Sequence, residues 1–370
     1  MYHVQRKYKV FLSIIDYIGS ILFFWKKCIP FNINKIKNVL VIRLDHIGDI
    51  LLTTPVIRTL KEKIPAANID ILIRPFTKNI LETNPYINKI HTLNPPWFRR
   101  ESASFFNLFK FIYQNLFKYD LVVELHADPR NIILANFVGK YVIGYNIRGF
   151  GFLLNKSAVY AKSEKHILER NLDVVRAIGL DSDNKMDIFL TDKDNVFADT
   201  LFDIHNIKNA VCIVPGTGRT NKFWFNDRWA ELADHIIKKY GAKIVFLGGK
   251  EDIPRIADIT RQMALKKHIN MVGRTSLRES VAIIKKSRLV ICPDTGMMHA
   301  AKAVDTPCIA LFGPVNPKIW GYNDKNHKSL FVKLSCSFCD IPLCINKEKN
   351  VCMSSILVAR VIKAVSEIIK

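Results

Sequence analysis

Four short stretches of this chain gather acids, cations, hydroxyls and glycines directly after β-branched runs. The first is Asp45-His46-Ile47-Gly48-Asp49, between Val39 to Leu44 and an apolar helical stretch. In an open α/β sheet, the turn from the carboxyl end of a strand into the next helix is where ligands are held. Gly48 would let backbone approach such a ligand closely. Asp49 could face that ligand as a proton-accepting carboxylate, or it could cap the free amides of the helix. The turn alone leaves both open.

The second stretch, Pro215 to Lys222, follows Val211 to Val214 and supplies Gly216, Thr217, Gly218, Arg219, Thr220 and Lys222. Small residues, hydroxyls and two cations after a strand make a cradle for a diphosphate. The loop lacks the terminal Gly-Lys-Ser/Thr of a Walker A sequence, which argues against an ATPase. Trp224 and Trp229 behind it read as packing that pins the loop to its helix. The third stretch, Gly248-Gly249-Lys250-Glu251-Asp252, places acids just past a glycine pair, where they could bind ribose hydroxyls or cap the next helix. The fourth is Pro293-Asp294-Thr295-Gly296-Met297-Met298-His299, again polar groups and a glycine at a helix start. Asp181 and Asp183 flank a serine outside these stretches and read as solvated charge.

The elements that must position these groups alternate in a βαβ rhythm, which predicts a parallel sheet. Strands are expected at Val39 to Leu44, Ile69 to Ile73, Lys89 to Leu93 and Leu121 to Leu125. A helix is expected over Ile50 to Lys63, with Pro55 making its first turn irregular or moving its start to Thr54. Another helix is expected over Phe105 to Phe117. The alternation restarts near Ala210, with strands at Val211 to Val214, Lys243 to Leu247, Leu289 to Cys292 and Cys308 to Phe312, and helices over Arg228 to Tyr240, Ile253 to Leu265 and Leu277 to Lys285. The polar stretch from Thr191 to Lys208 is the expected boundary between two α/β domains. A chain of 370 residues also exceeds what one core usually fills.

With 49% hydrophobic and 24% charged residues, the composition is that of a folded protein. A net charge of +22 predicts attraction to nucleic acid, anionic lipid or phosphorylated glycolipid. No recognised nucleic-acid module accompanies the charge, so nucleic acid is not the expected partner. Residues 1–37 concentrate seven cations against Asp16 around the apolar run Val10 to Trp25. That run is shorter than a bilayer span, contains Asp16 and lacks a small-residue cleavage site, which favours a helix in the membrane interface, then one packed on the protein surface, over a targeting or spanning segment. Trp97, Phe98, Phe105, Phe106, Phe109 and Phe111, beside Arg99 and Arg100, form either helix core or an acceptor-facing or membrane-facing surface. Cys336, Cys339, Cys344 and Cys352 have spacing that admits a structural zinc, free thiols or disulfides. Cys28, Cys212, Cys292 and Cys308 read as buried thiols.

The segments RLDHIGDILLTTP, GTGRTNKFW and PDTGMMHAA, in this order and spacing, resemble the glycosyltransferase family that contains the lipopolysaccharide heptosyltransferases, family 9. The resemblance covers roughly Val39 to Lys370. It implies a GT-B architecture, two Rossmann-like domains facing across a cleft, with acceptor on the first and nucleotide-sugar on the second. The expected division is residues 1–37 as a basic, apolar anchor, 38–200 as the acceptor domain, and 201–353 as the donor domain with its cysteine-rich segment 336–352. Residues 354–370 are expected to form a terminal helix crossing back to the first domain.

The resemblance further implies that Asp49 is the general base of an inverting transfer and that Lys222 offsets charge on the leaving diphosphate. Thr217, Gly218, Glu251, Asp252, Asp294, Thr295, Gly296 and His299 would hold the donor, and Asp45, Gly48, Arg99 and Arg100 stand on the acceptor side. It implies ADP-heptose as donor, a lipid A and Kdo glycolipid as acceptor, no metal in catalysis, and a peripheral location on the cytoplasmic face of the inner membrane. Rival readings are a relative using another nucleotide-sugar or acceptor, a nucleotide-sugar epimerase, and a non-catalytic polyanion-binding protein.

Overall fold

Strands buried on both faces, such as Val39 to Ile42, belong in the interior of a parallel sheet covered by helices. A computed structural model, which describes residues 6–97, 104–160, 164–346, 348 and 350–369, contains two such sheets. The chain divides into two units, Met1–Asp187 and Ile188–Lys370.

The first unit holds β1 (Asn38–Arg43), β2 (Asn68–Ile73), β3 (Lys89–Thr92), β4 (Tyr119–Glu124), β5 (Gly139–Tyr145) and β6 (Lys156–Ala158). These pair in the order β3-β2-β1-β4-β5-β6, all parallel. The second holds β7 (Ala210–Ile213), β8 (Lys243–Phe246), β9 (His268–Asn270), β10 (Leu289–Pro293), β11 (Cys308–Leu311) and β12 (His327–Leu330). Their order, β12-β11-β10-β7-β8-β9, repeats the topology of the first sheet. In each sheet the chain reverses its direction of winding beside the unit's first strand, so the switch points lie between β1 and β4 and between β7 and β10.

The helix expected over Ile50 to Lys63 is two helices, Ile47–Leu51 and Thr54–Lys63. Pro55 sits in the first turn of the second, where its missing N–H costs nothing. At the break, the Thr53 hydroxyl donates to Asp49 O at 2.8 Å and the Thr54 hydroxyl to Leu51 O at 2.8 Å. Side chains thus satisfy carbonyls that a continuous helix would have used.

The boundary between units falls at Asp187, earlier than the expected 191–208 stretch or a division at 200/201. The reason is local. Thr191 and Asp194 form a reciprocal capping box that starts the helix Asp192–Ile204, and Asp194 pairs with Arg278 at 3.0 Å. That helix packs on Leu277–Lys286 and so belongs to the second unit. The terminal helix, Val358–Ile368, likewise does not cross back. Val361 and Val365 are fully buried in the core of the second unit, where the helix packs on Asn226–Tyr240. The N-terminal helix Arg6–Leu22 packs on the first unit, and no described helix is long and apolar enough to cross a membrane.

Candidate active site

β1 ends at Arg43 and β4 at Glu124, so the loops that follow them open side by side at the first switch point. Arg43 is almost fully buried, and burying a guanidinium requires that it be paired. It donates through Nη1 to Leu125 O and through Nη2 to Asp49 Oδ1, and Nη2 stands 3.5 Å from Asp45 Oδ2. One cation therefore serves two carboxylates. Asp49 is the third residue of its helix, whose N-cap position is His46, so its carboxylate is not an N-cap. Among the described residues, Asp49 Oδ2 has no hydrogen-bond partner.

The two carboxyls titrate in opposite directions. Burial pushes Asp49 up, the neighbouring Asp45 charge adds to this, and the pKa reaches about 6 despite Arg43. Asp45 is also raised by burial, but the His46 hydrogen bond at 2.8 Å, with the Arg43 and His126 charges, holds it well below the usual carboxylate range. His126 Nε2 lies 3.6 Å from Asp45 Oδ2, and burial lowers the imidazole pKa. Asp45, His46 and Asp49 place ligand atoms within 4.8 Å of one another, which is close enough for a metal ion. The Arg43 guanidinium already supplies positive charge against both carboxylates.

Glu124 anchors the second loop. Its fully buried carboxyl accepts from the His126 amide at 3.0 Å, the Ala127 amide at 2.7 Å and Asn131 Nδ2 at 3.3 Å. Burial outweighs these donors and raises it to about 7. Asp128 then caps the helix Pro129–Val138, held by Arg130 through Nε at 2.8 Å and Nη2 at 2.6 Å. Gly48 is buried beside Asp49, while Arg99 and Arg100 lie outside the described residues.

The second switch point carries a matching pair. Lys222 Nζ donates to Asp294 Oδ2 at 2.6 Å, joining the loop after β7 to the loop after β10. Thr295 heads the helix Gly296–Ala303, and the first amides of a helix lack internal acceptors and attract an anion. Thr217 is half-buried and Gly218 is exposed with open space around it. Gly216 is different, because a Cβ there would lie 2.2 Å from Asp252 Oδ2. Asp252 accepts from the Gly249 amide at 3.0 Å, so it acts as the cap of its turn, while Glu251 beside it is exposed. His299 is buried, with Nδ1 2.7 Å from Tyr322 Oη and the two rings edge to face, so it forms the wall behind the helix.

Asp340, Ile341 and Asn350 clasp the Lys222 loop. Arg219 donates from Nη1 and Nη2 to Asp340 Oδ1 at 2.9 Å, Asn221 Nδ2 to Ile341 O at 2.7 Å, and Asn350 Nδ2 to Thr220 O at 3.3 Å. Trp224 packs edge to face on Trp229 and donates from Nε1 to Ile356 O at 2.9 Å, the packing role expected of it. Cys336, Cys339, Cys344 and Cys352 are free thiols, and no three of their sulfurs lie within 4.8 Å of one another. Cys28 is exposed, unlike Cys212, Cys292 and Cys308. Asp181 and Asp183 are both exposed, as solvated charge should be, and each also forms an ion pair, Asp181 with Arg176 at 2.7 Å and Asp183 with the buried Arg58.

Arg43, Glu124, His126 and Asp340 were not singled out in the sequence. Arg43 had a signal: a lone cation ending the apolar run VLVIR. His126 and Asp340 act through pairings distant in sequence, which motif spacing does not display, whereas Glu124 bonds locally to His126, Ala127 and Asn131.

Comparison with known proteins bears on the family and the fold. The family model described as Glycosyltransferase family 9 (heptosyltransferase) matches residues 110–349. Lipopolysaccharide heptosyltransferase 3 of Escherichia coli (strain K12) is 27% identical over 299 residues, 74% of this chain and 81% of that protein. The glycosyl transferase family 9 structure from Veillonella parvula aligns with TM-score 0.75 and 24% identity, covering 90% of this chain and 97% of that one. E. coli ADP-heptose lps heptosyltransferase II aligns with TM-score 0.72 and 19% identity, covering 90% and 98%. Two parallel six-stranded α/β units of this topology make the fold GT-B.

Proposed function

This chain belongs to glycosyltransferase family 9, and from that premise we propose that it is an inverting transferase moving heptose from ADP-heptose to a Kdo or heptose residue of the lipopolysaccharide inner core. The observation that carries the reading is the repeated placement of a buried acid and cation at a switch point: Arg43 with Asp49 in the first sheet, and Lys222 with Asp294 in the second. The names of the relatives support the donor and the pathway.

In this mechanism Asp49 Oδ2 takes the proton of the acceptor hydroxyl as its oxygen attacks the anomeric carbon from the face opposite the diphosphate. The bond from that carbon to the diphosphate oxygen breaks, and the sugar is transferred with inversion. Arg43 fixes Oδ1, leaving Oδ2 to the proton. A pKa of about 6 suits a base that is mostly ionised at neutral pH and still accepts a proton readily. Lys222 and the amides at Gly296 stabilise charge on the departing ADP, with Thr217 contributing a hydroxyl. The incoming diphosphate competes with Asp294 for Lys222. No metal is needed in this scheme, since a guanidinium and an ammonium supply the positive charge. The acceptor places the enzyme at the cytoplasmic face of the inner membrane.

The test is turnover of a nucleotide-sugar panel with and without a Kdo-bearing lipid A acceptor, analysed by product mass. Acceptor-dependent gain of one heptose supports the reading. Consumption of donor without acceptor, to an isomer or to free sugar, refutes it.

A further inference from the structure

Large apolar side chains normally appear singly on a soluble surface. In the first unit they are concentrated on two helices. Phe11, Tyr17 and Ile21 of Arg6–Leu22 are 57% to 70% exposed, and Phe105, Phe106 and Phe109 of Phe105–Gln114 are 64% to 73% exposed. Only the opposite side of the second helix, through Leu108 and Phe111, enters the core.

These two helices are parts of one layer. The N-terminal helix is seated on the turn Gly151–Leu153: Asp16 accepts from the Phe150 amide at 2.7 Å, and the Phe23 and Phe152 rings meet at 5.5 Å. A Cβ at Gly19 would strike the Phe152 ring. The same turn packs on Pro129–Val138, which in turn packs on Phe105–Gln114, and the Phe117 amide donates to Phe137 O at 3.0 Å. Phe137 is itself half exposed. The layer is therefore continuous from Phe11 to Phe109.

We propose that this layer is a docking face for a bilayer rich in anionic lipid. Residues 6–28 carry five cations against one acid; Lys26 is buried, Lys27 donates to Gly151 O and Leu154 O, and Asp16 is turned inward to Phe150, which leaves the first helix the charge of Arg6, Lys7 and Lys9. The second helix carries Lys110 and no acid. An apolar face with a basic flank complements anionic headgroups above an acyl interior. A second copy of the chain would bring like charges together. Neither helix spans a bilayer, so both lie in the interface. The inference deepens the proposed function, on which the choice of partner rests. Helix Pro129–Val138 is capped by Asp128, in the loop after β4 at the first switch point, and carries Phe137 on this face, about 13 Å further along its axis. Docking would hold Asp49 near the surface where a glycolipid acceptor presents its sugars.

The experiment is sedimentation of the full-length protein with vesicles of phosphatidylcholine alone or mixed with phosphatidylglycerol. It is repeated for Phe105→Ser/Phe106→Ser/Phe109→Ser and for Phe11→Ser/Ile14→Ser/Ile18→Ser, both made at exposed positions. Wild type is expected to pellet with the anionic vesicles, and each variant to lose binding by about tenfold or more. Thermal melts of both variants should match wild type, and transfer to a water-soluble acceptor should be unchanged. Equal binding by variants and wild type, no binding by wild type, or a dimer abolished by the same substitutions would each overturn the docking face. Because vesicle binding is read without turnover, absence of transfer would sink the proposed reaction and leave this result standing.

Discussion

The Arg43 guanidinium bonds Asp49 through the same nitrogen that stands 3.5 Å from Asp45, so one buried cation is divided between two carboxylates with opposite pKa shifts. Asp45 takes the low value and stays ionised. Asp49, held up to about 6, keeps the proton affinity of a useful base.

A pH dependence follows with a definite sign. The base must be ionised, so kcat/KM should fall as pH drops through about 6 and level off above it. A pH profile between 5 and 9 checks this. A flat profile across that limb would detach Asp49 from the rate.

Replacing Arg43 by Ala removes the opposing cation and should move the acidic limb to higher pH, since Arg43 lowers the Asp49 pKa. Activity lost at pH 7 should then partly return at pH 8.5 or so. Loss that is the same at every pH would mark Arg43 as a packing residue only. Arg43→Lys should restore charge but not the two-sided hydrogen bonding.

On the donor side, Lys222→Ala should lower kcat by about 10²- to 10³-fold, the cost of removing one preorganised charge from a leaving group. Asp294→Asn frees Lys222 and should weaken donor retention less than the loss of Lys222 itself. Steady-state kinetics with varied donor separates the two.

The clasp on the Lys222 loop gives a test remote from the chemistry. Asp340→Ala and Arg219→Ala each break the same exposed ion pair, whose direct worth to stability is below about 1 kcal/mol. Each should nevertheless reduce turnover through the loop, and the double variant should be no worse than either single one. Additive losses would show that the two residues act separately.

Glu124 predicts a stability effect. Its folded pKa, about 7, lies above the ordinary 4.5, so the folded state holds the proton more tightly across that interval. Its contribution is fully present below about 4.5 and is lost as pH rises through about 7. Compared with Glu124→Gln, wild type should therefore lose relative melting temperature between pH 5 and 8. A constant difference between the two melts would contradict the buried, raised carboxyl.

Much of this architecture is legible from residue pattern. Runs such as VLVIR, VCIV and LVIC announce strands buried on both faces, and the loops after them carry Asp49, Lys222 and Asp294. β5, β6, β9 and β12 carry no such pattern. The short β6, β9 and β12, at most four residues each, carry polar residues, and β5 is interrupted by glycine and tyrosine. The boundary at Asp187 depended on Asp194 finding Arg278, a contact across 84 positions that local composition cannot show. In the same way Asp252 could have been a ligand or a cap, and only its place between Gly216 and Gly249 decided for the cap.

The most direct measurement of the central claim is single-turnover transfer from ADP-heptose to a Kdo-bearing acceptor by wild type and Asp49→Asn, with the product anomer assigned by NMR. Wild type is expected to give the inverted anomer. Asp49→Asn is expected to bind donor normally and transfer at least about 10²-fold more slowly. Retention of configuration, or an Asp49→Asn protein as fast as wild type, would contradict Asp49 as the base of an inverting transfer.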